Sequence, residues 1–247
     1  MSMMVKQAVH DIDTPTGPMR CYLYRPNAEG PFSTIIFYSE IFQQTAPIAR
    51  AAAIMAGHGF VVLVPEVFHE LNPLGTVLAY DDAGKDKGNQ DKFTKGLEHH
   101  DSDTQALVEF AQRQPFCSSL VGAMGVCIGG HLAYRAALNS DVVGAFCLYP
   151  TDIHSNTLPC NKGNDSLSRT GDIQGELALV FGRQDPHVDV AGRQLIYAKL
   201  SETKRCFSWL EVNAQHAFMR DEGERYDPAL ALQMYGQAVA FFQRVLR

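Results

Sequence analysis

Short continuous apolar runs recur along the chain, separated by segments in which apolar residues follow a helical spacing. A continuous apolar run is typical of a strand buried on both faces of a sheet. Strands are predicted at 34–38, 60–64, 120–124, 141–149, 176–181 and 206–212. Helices are predicted at 48–58, from 102 or 103 to 112, at 132–138 and 189–200, and from Asp227-Pro228 onwards. Strands that alternate with helices favour a mostly parallel sheet in an α/β fold.

The N-terminal part of the chain has a different pattern. The segments 5–12 and 20–24 alternate partly between apolar and polar residues, and Thr14-Pro15-Thr16-Gly17-Pro18 separates them. Proline and glycine in this spacing mark a turn. The pattern predicts an antiparallel hairpin at the edge of the sheet.

Two long segments show no clear period. Residues 68–100 contain four glycines and many charges, and residues 150–175 are polar. Each follows the C-terminal end of a predicted strand, the edge where α/β sheets bind ligands. A long irregular segment in a compact domain is commonly functional, so 68–100 is interpreted as a cap over a site. The segment contains three histidines, His69, His99 and His100. They are expected at the surface rather than at a metal, because the nearby acids lack the spacing of metal ligands.

The most informative stretch is Gly125-Val126-Cys127-Ile128-Gly129-Gly130, which lies between a predicted strand and a predicted helix. A G-x-nucleophile-x-G turn holds its central side chain in a strained conformation above the sheet, at the N-terminus of the helix. A Cβ at Gly125 or Gly129 is expected to clash with neighbouring backbone. Cys127 takes the place usually held by serine, and the helix N-terminus favours its thiolate. The alternative is a small buried hydrophobic residue.

This turn, together with Asp185 in Phe181-Gly182-Arg183-Gln184-Asp185 and His216 in Gln215-His216-Ala217-Phe218, resembles the dienelactone hydrolase family. The order nucleophile, acid, histidine is that of α/β-hydrolases. The resemblance implies an α/β-hydrolase fold, a mostly parallel central sheet with helices on both faces. It also implies a catalytic triad of Cys127, Asp185 and His216.

Further site residues follow from the same resemblance. The backbone N–H groups of Ile41 and Ile128 are the expected oxyanion hole, and Glu40 matches an acidic residue that the family places near its nucleophile. Glu40 could equally be a solvated loop acid. Asp185 is expected to orient His216, although an aspartate in this position also commonly forms the turn before a helix.

The family's substrates suggest a small ester or lactone, with a carboxylate-bearing enol-lactone as the best guess. Arg220 matches an arginine just after the family's histidine and could bind that carboxylate. Alternatively it pairs at the surface with Asp221 or Glu222. The family's second arginine is not identifiable around 79–95. General carboxylester hydrolysis, or a non-catalytic, redox-sensing role for Cys127, are the competing functions.

Composition narrows the class of protein. A length of 247 residues fits one α/β domain over 1–247, and 46% hydrophobic and 19% charged residues are ordinary for a globular protein. A net charge of −6 without a basic block argues against nucleic acid as a partner. Six cysteines without metal-ligand spacing read as reduced thiols, and no signal peptide or membrane span is recognised. A cytoplasmic hydrolase that needs no cofactor or metal is expected, with its oligomeric state left open.

Overall fold

A computed structural model describes residues 4–247 of the chain. Its eight strands form one sheet in the order β1-β2-β4-β3-β5-β6-β7-β8. They are β1 (Val5–Thr14), β2 (Gly17–Pro26), β3 (Phe32–Tyr38), β4 (Val61–Pro65), β5 (Cys117–Val126), β6 (Val142–Leu148), β7 (Glu176–Gly182) and β8 (Phe207–Val212). The first two strands form an antiparallel hairpin that joins β4, also antiparallel, and all other neighbours are parallel.

Helices cover both faces of this sheet. They are α1 (Ala46–Gly57), α2 (Asp82–Lys92), α3 (Leu97–Gln112), α4 (Ile128–Ala136), α5 (Val190–Glu202) and α6 (Pro228–Val245), with one short 3₁₀ helix at Ser168–Asp172. The apolar residues of α1 and α6 pack in one core cluster, and those of α3, α4 and α5 pack in the other. The predicted α/β architecture with an N-terminal hairpin is therefore confirmed.

Neighbouring residues of the central strands explain why their sequences are continuously apolar. Ile35 of β3 belongs to one core cluster and Ile36 to the other, and neither is exposed. Successive side chains of a strand point to opposite faces, so a strand with helices on both sides needs apolar residues at every position. None of the helices described for residues 4–247 has the length and apolar character needed to span a membrane.

The prediction that 68–100 lacks regular structure was wrong. The segment contains α2, and α3 begins at Leu97 with Gly96 as its N-cap, several residues before the predicted cap at 102 or 103. The buried face of α2 consists of Gly84, Gly88 and Asp91, which have helical spacing but no apolar stripe. A Cβ at Gly88 would lie 2.8 Å from the carbonyl oxygen of Ile41, so the helix can approach that loop only with glycine there.

The expectation of surface histidines was also wrong for two of the three. His69 and His100 are buried, while His99 is exposed and bonds to Glu70 at 2.9 Å. The ring of His69 lies 3.1 Å from the hydroxyl of Thr16 in the β1–β2 turn, and 3.5 Å from the buried ammonium of Lys95. This polar cluster ties the segment to the hairpin, a contact between distant residues that local sequence does not show.

Candidate active site

Cys127 lies at the sharp turn between β5 and α4. Its backbone has φ 60° and ψ −126°, a left-handed conformation that costs energy for a residue with a side chain. A Cβ at Gly125 would overlap the carbonyl oxygen of Gly129, and one at Gly129 would overlap that of Tyr38. The two glycines are therefore steric requirements of the turn, and the turn presents Cys127 at the C-terminal edge of the sheet.

Asp185 and His216 lie on the loops after β7 and β8 and are both buried. The Nδ1 of His216 is 2.6 Å from Oδ2 of Asp185, and the other carboxylate oxygen accepts the backbone N–H of His187 at 2.8 Å. Cys127 and His216 line the same cavity, and Cys127 is close enough to act on the pKa of the ring. The structure thus brings the three predicted triad residues together in the order that an activated nucleophile requires.

The electrostatics of this group favour a charged imidazole. Burial of the ring lowers its pKa, but the charge of Cys127 and the hydrogen bonds with Asp185 and Cys127 outweigh burial and raise the pKa of His216 to about 10. The edge of the ring also packs against Tyr149, with ring centroids 5.2 Å apart. A cationic ring between a carboxylate and the sulfur of Cys127 can give up the proton on Nε2 and take one back without moving.

Glu40 is buried beside this group, so it is not a solvated loop acid. The phenol of Tyr80 donates to its Oε1 at 2.6 Å, and the guanidinium of Arg220 lies 3.7 Å from its Oε2. Burial raises the pKa of Glu40, and the hydrogen bond from Tyr80 and the charge of Arg220 oppose that rise. Burial and the nearby carboxylate raise the pKa of Tyr80 as well, which keeps its phenol a donor.

Arg220 does not pair with Asp221 or Glu222. Those two carboxylates bind Arg50, at 2.6 Å and 2.7 Å. The Arg220 guanidinium instead stacks over the ring of Tyr80, 4.4 Å from its centroid, and its buried Nε has no hydrogen-bond partner among residues 4–247. An unpaired donor of this kind is costly unless a ligand or water satisfies it.

The two expected oxyanion donors follow the neighbouring strands β3 and β5. Ile41 follows β3 and lines the cavity described below, and Ile128 is the first residue of α4. Within the described chain, neither backbone N–H has a backbone acceptor. Free N–H groups at a helix N-terminus and a neighbouring loop are suited to a developing negative charge.

These residues open into one cavity of about 510 Å³. Its floor includes Glu40, Cys127 and His216, and α2 covers one side with Asp82, Lys85, Asn89 and Lys92 at helical spacing. Loops and α2 bring residues from separate parts of the chain to the cavity wall, so several of them were not predicted from the sequence. These are Tyr80, Lys85, Lys92, His187 and Arg225. Proximity to Asp185 in the sequence was the only signal for His187.

Asp185, His187 and His216 also form the one group in the described chain with three candidate metal ligands close together. Two of the three are engaged with each other, since Oδ2 of Asp185 and Nδ1 of His216 share a hydrogen bond. A metal at those atoms would replace the proton that orients the imidazole. The arrangement fits acid–base chemistry with the residues present.

A strained cysteine after the fifth strand, with an acid and a histidine after the seventh and eighth, defines an α/β-hydrolase. The model of the dienelactone hydrolase family matches residues 19–246, and the chain belongs to this family. A Saccharomyces cerevisiae protein provisionally named carboxymethylenebutenolidase is 39% identical over 99% of this chain and 94% of its own length. The carboxymethylenebutenolidase of Pseudomonas putida is 24% identical over 81% of this chain and 80% of that protein.

Solved structures agree on the fold. The crystal structure of a provisionally named dienelactone hydrolase from Klebsiella pneumoniae has a TM-score of 0.85 and 18% identity, covering 98% of this chain and 99% of that one. The chain is accordingly a hydrolase of the dienelactone hydrolase type.

The burial of Glu40 leads to a prediction about stability. Folding raises the pKa of Glu40 above its ordinary value of 4.5. Above pH 4.5 the acid is ionised in the unfolded chain, whereas in the folded chain it must either keep its proton or carry a charge where water is excluded. Both cost free energy, so the acid opposes folding in this pH range. Glu40→Gln is therefore expected to raise the free energy of unfolding at neutral pH by about 1 kcal/mol, or about 2–4 °C in Tm for a chain of this length. The gain should be absent near pH 4, grow as pH rises from 4.5 towards the raised pKa of the folded state, and stay constant above it.

Thermal and urea unfolding at several pH values measure this difference. Glu29→Gln, on an exposed loop, is the matched control and should change little at any pH. A Glu40→Gln protein that is less stable than wild type at neutral pH would show that the contacts with Tyr80 and Arg220 outweigh the cost of burial.

Proposed function

We propose that this chain hydrolyses a small ester or lactone through an acyl-enzyme on Cys127. The observation that carries the proposal is that a strained cysteine and a histidine line one cavity, with a buried aspartate hydrogen-bonded to that histidine. The membership of the chain in a hydrolase family supports the same reaction class. The first test is a screen of small lactones and activated esters with wild-type protein.

In the first half-reaction the sulfur of Cys127 attacks the carbonyl carbon of the substrate. The carbonyl oxygen becomes an oxyanion, which the N–H groups of Ile41 and Ile128 stabilise. His216 then gives its proton to the leaving oxygen as the C–O bond breaks, leaving a thioester on Cys127. With a lactone, the alcohol stays attached to the acyl group.

In the second half-reaction water attacks the thioester. His216, now neutral, takes the proton of the water, and the C–S bond breaks to release the carboxylic acid and the thiolate. Asp185 keeps the proton on Nδ1 throughout, so that Nε2 is the atom that exchanges protons. Every proton taken up is returned within the cycle, and no external oxidant or reductant is needed.

Glu40 is proposed to act in the resting enzyme rather than in bond breaking. Its carboxylate lies on the cavity floor and is coupled by charge to His216. It can accept a hydrogen bond from the Cys127 thiol before substrate enters and give way to His216, which then takes the thiol proton. The contacts with Tyr80 and Arg220 hold the carboxylate in reach of that position.

The substrate is proposed to carry a carboxylate that Arg220 binds. The guanidinium is mostly buried, stacks on Tyr80 and lines the cavity, and a Cβ at Gly223 would meet its Nε at 2.8 Å. Packing therefore fixes the plane of the Arg220 guanidinium. Because the guanidinium is 3.7 Å from the Glu40 carboxylate, it can still form a shorter contact with a substrate carboxylate. A planar guanidinium held in this way suits two-point binding of a carboxylate.

Arg220→Ala is expected to lower kcat/KM for a carboxylate-bearing lactone by about ten- to a hundredfold, because a charge-assisted hydrogen bond is lost. A neutral activated ester should be hydrolysed at nearly the wild-type rate, since the nucleophile and the oxyanion donors are unchanged. Arg220→Lys should restore only part of the loss, because an ammonium group cannot make the planar contact. Equal losses on both substrates would instead identify Arg220 as a brace for the His216 loop and favour general ester hydrolysis.

We further propose that residues 1–247 act as one domain in which the segment 68–100 is the cap. Support comes from α2, which packs on the Ile41 loop and supplies one wall of the cavity. The ion pair between Lys92 and Asp152, at 3.0 Å, joins this cap to the loop after β6. Substrate access is therefore expected to depend on α2.

A further inference from the structure

Two exposed cations line the outer part of the active-site cavity. Arg225 lies on the loop between His216 and α6, and Lys85 lies on α2. The catalytic floor, by contrast, is formed largely by buried groups such as Glu40 and His216. The cavity thus has two mostly buried cations, Arg220 and Lys92, and a separate, solvent-facing cationic region.

The pairing of these charges separates Arg225 from the other cations. Lys92 bonds to Asp152 at 3.0 Å and Arg220 approaches Glu40 at 3.7 Å. Arg225 has neither an ion pair nor a side-chain hydrogen bond with any of residues 4–247, although the protein carries a net charge of −6. An unpaired guanidinium on a cavity wall in an acidic protein is suited to an anionic ligand.

Lys85 adds to the same region rather than neutralising it. Its partner Asp82, at 3.1 Å, is an i,i+3 neighbour with a side chain 95% exposed, so the pair is weak and screened by solvent. The carboxylate of Asp81 is occupied by the N–H of Gly84, at 2.7 Å, as the N-cap of α2. No carboxylate of residues 4–247 lies within ion-pairing distance of Arg225, so a ligand anion there displaces no internal partner.

We infer that the substrate carries two carboxylates, one bound by Arg220 inside the cavity and the second bound by Arg225, with Lys85 supporting it. The inference rests on the proposed function of the site and narrows its substrate to esters or lactones that keep two free carboxylates. The polar face of α2, which presents Lys85, Asn89 and Lys92 to the cavity, fits such a substrate better than a long apolar acyl chain.

The test compares activated aryl half-esters of dicarboxylic acids with and without a further carboxylate on the aryl group. Arg225→Ala is expected to lower kcat/KM for the doubly charged ester about three- to tenfold and to leave the singly charged ester nearly unchanged. Arg225→Glu should lower it further, and the effect should shrink with added salt, because a charge at the rim acts mainly on association and is screened. Arg113→Ala, an exposed arginine outside the cavity, is the matched control.

Equal losses on both esters, or no loss on the doubly charged one, would overturn the second carboxylate site. A binding measurement keeps this result separate from the proposed reaction. Dicarboxylates from succinate to adipate should bind Cys127→Ala protein more tightly than monocarboxylates of the same length, and Arg225→Glu should remove that difference. If wild-type protein hydrolyses no ester but dicarboxylates still bind more tightly, the proposed reaction is contradicted and the second carboxylate site is supported. If dicarboxylates do not bind more tightly, the second carboxylate site is contradicted.

Discussion

Cys127→Ala protein is expected to lose hydrolysis of esters and lactones almost completely, by about 10⁶-fold in kcat, as for removal of a nucleophile from a triad enzyme. The loss is large because no other described thiol occupies a strained turn beside a histidine. Burial raises the pKa of the thiols of Cys21 and Cys147, so these two are weak nucleophiles. Steady-state kinetics with an activated ester and a small lactone measure the effect.

The other five cysteines serve as controls for this substitution. Cys117, Cys160 and Cys206 are partly or fully exposed, so their alanine variants should fold normally and keep wild-type rates. The buried pair, Cys21 and Cys147, should lose stability more than activity. More than a trace of hydrolysis by folded Cys127→Ala protein would rule out the proposed nucleophile.

Asp185→Asn is expected to preserve the fold and lower kcat by about 10⁴-fold, because the amide does not hold the proton on Nδ1 of His216. The substitution is close to isosteric. Asparagine can still accept the N–H of His187 through its oxygen, so the loop after β7 should keep its shape. Without the carboxylate, the pKa of His216 should fall from its raised value, because a hydrogen bond and an opposite charge are both lost.

Circular dichroism tests whether the Asp185→Asn protein keeps its fold, and steady-state kinetics measure the loss in kcat. Asp227→Asn is the matched control, since Asp227 caps α6 through the N–H of Leu230 at 3.0 Å and asparagine is also a good N-cap. If Asp185→Asn protein turns over at nearly the wild-type rate, another carboxylate orients His216. Glu40 is the nearest candidate, and the double variant with Glu40→Gln would then decide.

The sheet and the cysteine turn were predictable because their physical requirements are local. A strand covered on both faces must be apolar throughout, as in β3 and β6, and a turn as tight as that at Cys127 admits only glycine at its flanks. Asp185 and His216 were expected from their places after predicted strands and from the resemblance to the dienelactone hydrolase family. Their approach to within 2.6 Å is a property of the folded chain.

The helix α2 was missed in the sequence because it packs through small residues. Gly84 and Gly88 lower helix propensity in isolation, yet they are the residues that let α2 approach the chain at Ala79 and Ile41. The sequence does contain a signal, the helical spacing of Gly84, Gly88 and Asp91, but a search for apolar residues at helical spacing misses it. The buried His69 escaped detection for a related reason, since its partners Thr16 and Lys95 come from different segments.

The cations of the cavity wall were the least predictable part of the site. Arg220 was suggested by its distance from His216 in the sequence, whereas Lys85 and Arg225 lie in unrelated segments that the fold brings to one cavity. Charged residues at exposed positions carry no local signal that distinguishes a solvated face from a binding wall. Tyr80 was missed similarly, although its hydrogen bond with Glu40 links the segment 68–100 to the loop after β3.

The most direct test of the account is detection of the acyl group on Cys127. Wild-type protein is mixed rapidly with an activated aryl ester, the reaction is quenched in acid, and the intact protein and its peptides are weighed by mass spectrometry. Asp185→Asn protein is treated in parallel, because slower deacylation should let the adduct accumulate. The account predicts a burst of aryl alcohol near one equivalent and a mass increase of one acyl group on the peptide that contains Cys127. Two results would contradict an acyl-enzyme on Cys127. One is hydrolysis with the acyl group on another residue, and the other is hydrolysis with Cys127 unmodified in both proteins at every quench time.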